Sequence, residues 1–500
     1  MNSSELLARN ARKYPSQEAV VCQGQRLTYQ ELDLHVNQFG SAINNLGISK
    51  GDKVALLMPN VNAFAIAYFA VQRIGAIVVP INAKLTGPEV NYIVENSEAN
   101  ALIVHELLFP GVQHFTEPSI LIKTGEAQGN WRSFESLIDS GNPAGIPCDL
   151  TEDDLSTILY TSGTTGDPKG VLFSYRNILT VANMICVEME VKAESRILLM
   201  MPLSHSAPLH LFFMAGMIVG ATLVLTPTFT PDLLLDTVEQ ERTTHFFGAP
   251  VAYLTTARHE RINEADLSSM KWWIYGGAGL STKQVQQLKE AFPDGNLVCV
   301  YGLTEAGPSG TLLFDHEHEE KAGSIGKRAA LGMEIRIIDD EGKELPAGEV
   351  GEIALRGESN MVGYYNNPEA TAAVLQDDWL RTGDMAIQEE DGYFWVIDRK
   401  KDMIITGGVN VYPKEIEDIF VMYEGVTEVA VIGVPHPEWG ETIKAIFSAT
   451  TKVNPDDVKE FLKGSLASYK IPRIYEQVEA LPRNASGKIL KQVLREGVTK

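Results

Sequence analysis

One stretch of the chain combines hydroxyls, glycines and a lysine at a spacing that suits an anion. Residues 159–171 read Leu-Tyr-Thr-Ser-Gly-Thr-Thr-Gly-Asp-Pro-Lys-Gly-Val. Gly163 and Gly166 let backbone N–H groups turn inward, and Thr161, Ser162, Thr164 and Thr165 add hydroxyl donors. Lys169 adds a point charge that suits phosphate. An apolar, strand-like run over 155–160 precedes the loop. A short apolar run over 171–173 follows, and Ser174-Tyr175-Arg176-Asn177 could open a helix. Strand, donor-rich turn and lysine together argue against a merely flexible polar loop. The loop is not a Walker loop: Gly163 and Gly166 stand too close, and Gly170 follows the lysine.

Five further constellations carry chemistry-bearing residues. Tyr275-Gly276-Gly277-Ala278-Gly279-Leu280 follows a strand-like run at 272–274. Small residues there admit a planar ring or a phosphate, although a tight turn before a helix explains them equally well. No glycine stands at 282, which excludes a Rossmann fingerprint. Residues 298–305 end in Tyr301-Gly302-Leu303-Thr304-Glu305. Tyr301 could lie against a nucleobase, Thr304 could donate to a phosphate and Glu305 could hold Mg²⁺ through oxygen. Alone, the same residues also suit a strand-end turn. In Thr382-Gly383-Asp384, the carboxylate after a glycine turn is a good acceptor for vicinal hydroxyls. Asp398-Arg399-Lys400-Lys401-Asp402, then Thr406-Gly407-Gly408, could be a solvated turn. Lys488, in Pro482-Arg483-Asn484-Ala485-Ser486-Gly487-Lys488, would by itself pass for a surface lysine.

The elements that must position these residues are legible from periodicity. Helices are predicted over 5–14, 28–46, 62–74 and 86–96, and strands over 53–58, 76–80 and 101–104. Strands alternating with helices of this length imply a parallel sheet with crossovers. The pattern resumes with helices near 175–188, 208–219 and 231–241 and strands at 197–200, 221–225 and 245–247. From about 320, short strands and turns such as Asp340-Glu341-Gly342 predict a smaller β-rich part. A third unit follows 400, with a helix at 413–423, strands at 429–434 and 445–449, and a helix at 455–466.

At 500 residues the chain exceeds one domain, and 44% hydrophobic content is ample for a large core. Acidic residues outnumber basic ones, 65 to 42, for a net charge of −23. That balance argues against nucleic acid or an anionic membrane surface as main partner. Cys22, Cys148, Cys186 and Cys299 are widely spaced and read as reduced thiols, not a disulfide frame or zinc site. The N-terminus lacks a signal pattern, and the apolar stretch 209–225 is broken by glycines, as a buried helix–strand pair would be. A cytoplasmic location is expected, with at most peripheral membrane contact.

Taken together, the six segments resemble the adenylate-forming acyl-CoA synthetase superfamily, in motif order and nearly end to end. The resemblance implies an α/β fold: a large N-terminal domain of two α/β subdomains plus a small β-rich subdomain, and a small mobile α+β C-terminal domain. It places an AMP-binding domain at 1–399, a hinge at 400–402 centred on Lys401, and the mobile domain at 403–500. It implies ATP, Mg²⁺ and coenzyme A as cofactors and co-substrates, and a small-molecule carboxylic acid as substrate. Residues 161–166 and Lys169 would hold the β- and γ-phosphates, Thr304 the α-phosphate and Glu305 the metal. Gly277, Ala278 and Tyr301 would form the adenine slot. Asp384 and Arg399 would take the ribose hydroxyls. Lys488 would lie over the developing charge of acyl-AMP formation. Gly407 and Gly408 would face the pantetheine tunnel.

Pro202-Leu203-Ser204-His205 matches the family's Pro-Leu-x-His, so His205 is expected near the carboxylate. Phe246, Phe247, Gly248, Pro250 and Gly276 are expected to line the rest of the acyl site. Leu209 occupies the place where several long-chain enzymes carry a gating tryptophan. No acidic residue in these segments would pair with an α-ammonium, which argues against a peptide-synthetase role. The leading expectation is a medium- or long-chain fatty acid–CoA ligase, working as a monomer or homodimer. Alternatives are an aryl-CoA ligase of coumarate or succinylbenzoate type, an enzyme loading a carrier protein in trans, and a catalytically silent nucleotide-binding regulator.

Overall fold

The computed structural model describes residues 3–161, 168–406, 408–483 and 488–497. The chain forms two compact units. The first comprises residues 1–161, 168–335 and 355–380, and the second 162–167, 336–354 and 381–500. Three strands, Met333–Ile338, Val350–Gly357 and Trp379–Gln388, run through the division.

Two large mixed sheets build the first unit. In one, Glu18–Cys22, Thr222–Leu225, Arg196–Leu199, His245–Gly248, Trp272–Gly276 and Asn296–Tyr301 lie side by side and parallel. Short antiparallel strands close both edges. The other sheet runs in parallel from Leu155–Thr161 through Ile77–Ile81, Lys53–Leu57 and Ala101–Val104 to Ile120–Lys123. Its central strands are buried on both faces, as continuous apolar runs such as Ile77-Val78-Val79 require. Thr28 and Glu31 form the capping box foreseen at the start of helix Tyr29–Asn45.

Two details depart from the periodicity. The run after the glycine-rich loop is a full strand, Lys169–Ser174, antiparallel to Leu155–Thr161 with Thr161 opposite Lys169. The loop is therefore a hairpin connection, and helix Tyr175–Glu188 starts only after it. The helix expected over 208–219 begins with π turns, Ala207–Phe213, before the α-helix Met214–Val219. Residues 208–213 are all buried, so no polar face exists from which the wider period could be read.

In the second unit, Trp379–Gln388 pairs antiparallel with Phe394–Arg399, setting Asp384 opposite Arg399. A five-stranded sheet of Val409–Val411, Ile404–Thr406, Gly440–Ala449, Val426–His436 and Ile474–Gln477 follows. Helices Pro413–Phe420 and Pro455–Lys463 cover one face through Ile416, Phe420, Val458 and Leu462. The last described helix, Lys491–Glu496, packs against the other through Leu494.

Candidate active site

Parallel strands deliver their C-terminal ends to one edge of a sheet, where open α/β folds bind ligands. Gly248, Gly276 and Tyr301 end three neighbouring strands of the first unit, and Pro202 to Ser206 follow a fourth. Gly276 is a matter of space: a Cβ there would stand 2.7 Å from the Val300 carbonyl oxygen and 3.3 Å from the Phe247 ring. Gly277 takes φ +84°, which favours glycine, and Gly277 and Ala278 are exposed. The side chain nearest that edge from the neighbouring strand, Phe247, stacks on Phe212 at 5.4 Å.

Thr304 and Glu305 lie on a single 3₁₀ turn, Thr304–Ala306, just after Tyr301. The Thr304 hydroxyl is 3.1 Å from that of Ser206, which joins this turn to the His205 segment. The Asn82 amide donates to His205 Nε2 over 3.4 Å. Tyr364 donates its phenolic hydrogen to Glu305 Oε1 at 2.8 Å. The Lys169 ammonium lies 5.0 Å above the same tyrosine ring. The structure thus gathers His205, Thr304, Glu305 and Lys169 into chains of direct contacts with Asn82, Ser206 and Tyr364. None of these three linkers was singled out from sequence. Thr161 stands at the loop's base, its hydroxyl 3.5 Å from the Lys169 carbonyl oxygen. Ser162, Gly163, Thr164, Thr165, Gly166 and Gly407 lie outside the described residues.

The second unit holds the other expected residues. Asp384 is buried and pairs with Arg399 Nε at 3.0 Å, while Arg399 also donates to the Thr382 carbonyl. Gly383 has φ +72°, and its N–H donates to the buried Glu352 at 2.9 Å. Glu352 also accepts from Arg381 and Lys400. Lys400–Asp402 is a 3₁₀ turn whose Asp402 pairs with Arg495 of the last helix at 2.9 Å. Gly408, at φ +80°, is exposed in the turn between Ile404–Thr406 and Val409–Val411. Lys488 is exposed beside an antiparallel bridge between Arg483 and Ile489.

No group of three or more His, Cys, Asp or Glu that could hold a metal occurs among the described residues. Mg²⁺ commonly takes one or two carboxylates plus substrate phosphates. Glu305 accepts a hydrogen bond from Tyr364 at one oxygen. No described helix is long and apolar enough to cross a membrane.

Comparison with known proteins fits this arrangement. A family model described as AMP-binding enzyme matches residues 7–365. The chain belongs to the AMP-binding enzyme family. The model for the C-terminal domain of the same enzymes matches residues 415–488. Feruloyl-CoA synthase of Amycolatopsis sp is 38% identical over 97% of each chain. A long-chain-fatty-acid–CoA ligase of Mycobacterium tuberculosis is 35% identical over 94% of this chain and 93% of its own. ATP-bound MatB from Rhodopseudomonas palustris superposes with a TM-score of 0.90 at 29% identity, covering 100% of this chain and 99% of its own. This AMP-binding enzyme is therefore of the CoA-ligase type, with the large N-terminal and small C-terminal domains of the adenylate-forming superfamily.

Proposed function

We propose that the protein is an ATP-dependent acid–CoA ligase acting on a carboxylic acid with a large apolar body, in first place a medium- or long-chain fatty acid. The observation that carries this is the Ser206–Thr304 contact, which joins the segment of His205, proposed to face the carboxylate, to the turn of Thr304, proposed to face the phosphate. The acid's oxygen attacks the α-phosphorus of ATP, the bond to pyrophosphate breaks, and acyl-AMP forms. The sulfur of coenzyme A then attacks the acyl carbon, loses its proton to solvent, and AMP leaves with the bridging oxygen.

This chain's residues divide the labour. His205 orients the carboxylate, with Asn82 fixing its ring. Thr304 donates to the α-phosphate, and Lys169 with residues 161–166 holds the departing pyrophosphate. Mg²⁺, when bound, neutralises charge on phosphate oxygens, and Glu305 would hold it. Gly277, Ala278 and Tyr301 hold adenine, and Asp384 with Arg399 holds the ribose hydroxyls. Lys488 acts in the first half-reaction alone. Swinging of residues 403–500 about Lys401 would remove it and bring Gly407-Gly408 to the thiol's path. The enzyme works with small molecules and no nucleic acid, in the cytoplasm.

A second reading, an aryl acid, is favoured by the feruloyl-CoA synthase relative and by the stacked Phe212 and Phe247. ATP–pyrophosphate exchange over a panel of saturated fatty acids and hydroxycinnamates, followed by coenzyme A, separates the two. Exchange without thioester would exclude the ligase reading. Exchange confined to hydroxycinnamates would replace the fatty acid by the aryl acid.

A further inference from the structure

Tyr364 lies in no motif that the sequence singled out, yet it touches two of the residues that carry the chemistry. Its hydroxyl donates to Glu305 Oε1 at 2.8 Å, and its ring lies under the Lys169 ammonium at 5.0 Å. The surrounding main chain explains why the side chain is held there. The short strand Gly363–Tyr364 pairs with Lys169–Ser174, setting Tyr364 opposite Val171. The Tyr365 N–H donates to the Gly170 carbonyl at 2.7 Å, and the Val362 N–H to Leu172 at 2.9 Å. At the other end, the Met361 N–H donates to the Glu305 carbonyl at 2.8 Å. The Tyr364 N–H itself is taken by the Thr371 hydroxyl at 2.9 Å. Residues 361–365 are thus a backbone bridge between the base of the glycine-rich hairpin and the Thr304–Ala306 turn.

We infer that Tyr364 is a positioning residue that sets both the metal carboxylate and the pyrophosphate lysine. A carboxylate has two oxygens of equal basicity and rotates about its terminal bond. Tyr364 occupies Oε1 and restrains that rotation, so that Oε2 would be left for Mg²⁺. The ring face attracts the Lys169 ammonium electrostatically and holds the flexible stem in one place. One side chain thereby holds both the carboxylate that would bind Mg²⁺ and the ammonium proposed to take pyrophosphate. The inference rests on the proposed role of Glu305 as the magnesium ligand.

Two substitutions separate the two functions. Tyr364→Phe keeps the ring and removes the donor; Tyr364→Leu removes both. Mn²⁺ binding is read by electron paramagnetic resonance on the full-length protein with α,β-methylene-ATP, which involves no turnover. Tyr364→Phe should weaken Mn²⁺ about tenfold, the usual size for one hydrogen bond to a charged group. It should leave the KM for pyrophosphate in the exchange reaction unchanged. Tyr364→Leu should additionally raise that KM about threefold. Thermal unfolding of each variant checks the fold, and if the leucine variant melts early the phenylalanine variant decides alone. Glu305→Gln is the control. If it weakens Mn²⁺ while Tyr364→Phe stays within about twofold of wild type, the positioning role is overturned and Glu305 keeps its place. If Glu305→Gln leaves Mn²⁺ binding unchanged, the ligand assignment fails and this inference falls with it.

Discussion

Glu352 holds the backbone just before Asp384, the proposed ribose acceptor, and removing it should be felt in both stability and ATP binding. Glu352 is 5% exposed. Oε2 accepts from Arg381 Nε at 3.1 Å, from its terminal nitrogen at 3.0 Å and from Lys400 at 3.3 Å. Oε1 accepts from the Gly383 N–H at 2.9 Å. Breaking a buried ion pair by removing one partner costs about 3–5 kcal/mol. Arg381 would still donate to the Asp339 and Asp340 carbonyls, which argues for the lower end. Lys400 is half-exposed and keeps Asp340, so it adds nothing measurable. The orphaned Gly383 N–H adds about 1 kcal/mol. Glu352→Ala should therefore cost about 4 kcal/mol.

Glu352→Gln keeps an oxygen for Gly383 and should cost about half of that. Urea unfolding followed by circular dichroism measures both. The functional consequence is specific. Gly383 precedes Asp384, so loosening the strand there should raise the KM for ATP in pyrophosphate exchange while the KM for the acid stays put. A Glu352→Ala protein with an unchanged urea midpoint and an unchanged KM for ATP would refute the reasoning.

Further outcomes follow from single residues. Lys488→Ala should lower the adenylation rate about 10²–10³-fold with ATP affinity retained, checked by single-turnover acyl-AMP formation and equilibrium ATP titration. Buried His210 and His245 have pKa values lowered by desolvation, to about 3 and about 4. The unfolded chain protonates them first, so their contribution is complete above about pH 6.5 and is lost as pH falls below it. The slope is roughly 1.4 kcal/mol per pH unit for each histidine, readable from urea midpoints between pH 7.5 and 5. A Cβ at Gly302 would stand 2.2 Å from the Pro308 carbonyl oxygen, so Gly302→Ala should destabilise by about 1–3 kcal/mol in the same assay. Asp384→Asn should raise the KM for ATP about tenfold in exchange kinetics.

The alternation of strands and helices was legible because each central strand is an unbroken apolar run and several helices open on a capping residue. Val54 to Leu57 and Ile77 to Val79 are buried, and the Thr28–Glu31 and Ser174–Asn177 caps form as their spacing requires. Sheet order was not legible. Adjacent strands such as Arg196–Leu199 and His245–Gly248 are separated by a further strand and two helices, and no local pattern records that pairing. The terminal helix Lys491–Glu496 also escaped, since six residues are too few to show a period.

The chemistry-bearing residues announced themselves by type, but what fixes them did not. Glu305 and His205 are titratable groups near strand ends and turns, and Asp384 follows a glycine inside strand Trp379–Gln388, where a turn was expected; such groups draw attention in any sequence. Their supports are ordinary residues at long range: Tyr364 for Glu305, Glu352 for the Gly383 backbone before Asp384, Asn82 for His205. Tyr364 and Asn82 each satisfy one hydrogen-bonding position of the functional group and leave its remaining valence directed, while Glu352 holds the backbone N–H just before Asp384. A carboxylate with one oxygen fixed, or an imidazole with one nitrogen occupied, has fewer orientations to lose when substrate arrives. Part of the ordering cost is then met during folding. Sequence spacing cannot carry that information, because the pairing residues stand 59, 31 and 123 positions apart in the chain. Substitutions at the supports should accordingly lower rate or affinity with the motif residues all intact, the behaviour that motif reading alone would misassign to a healthy active site.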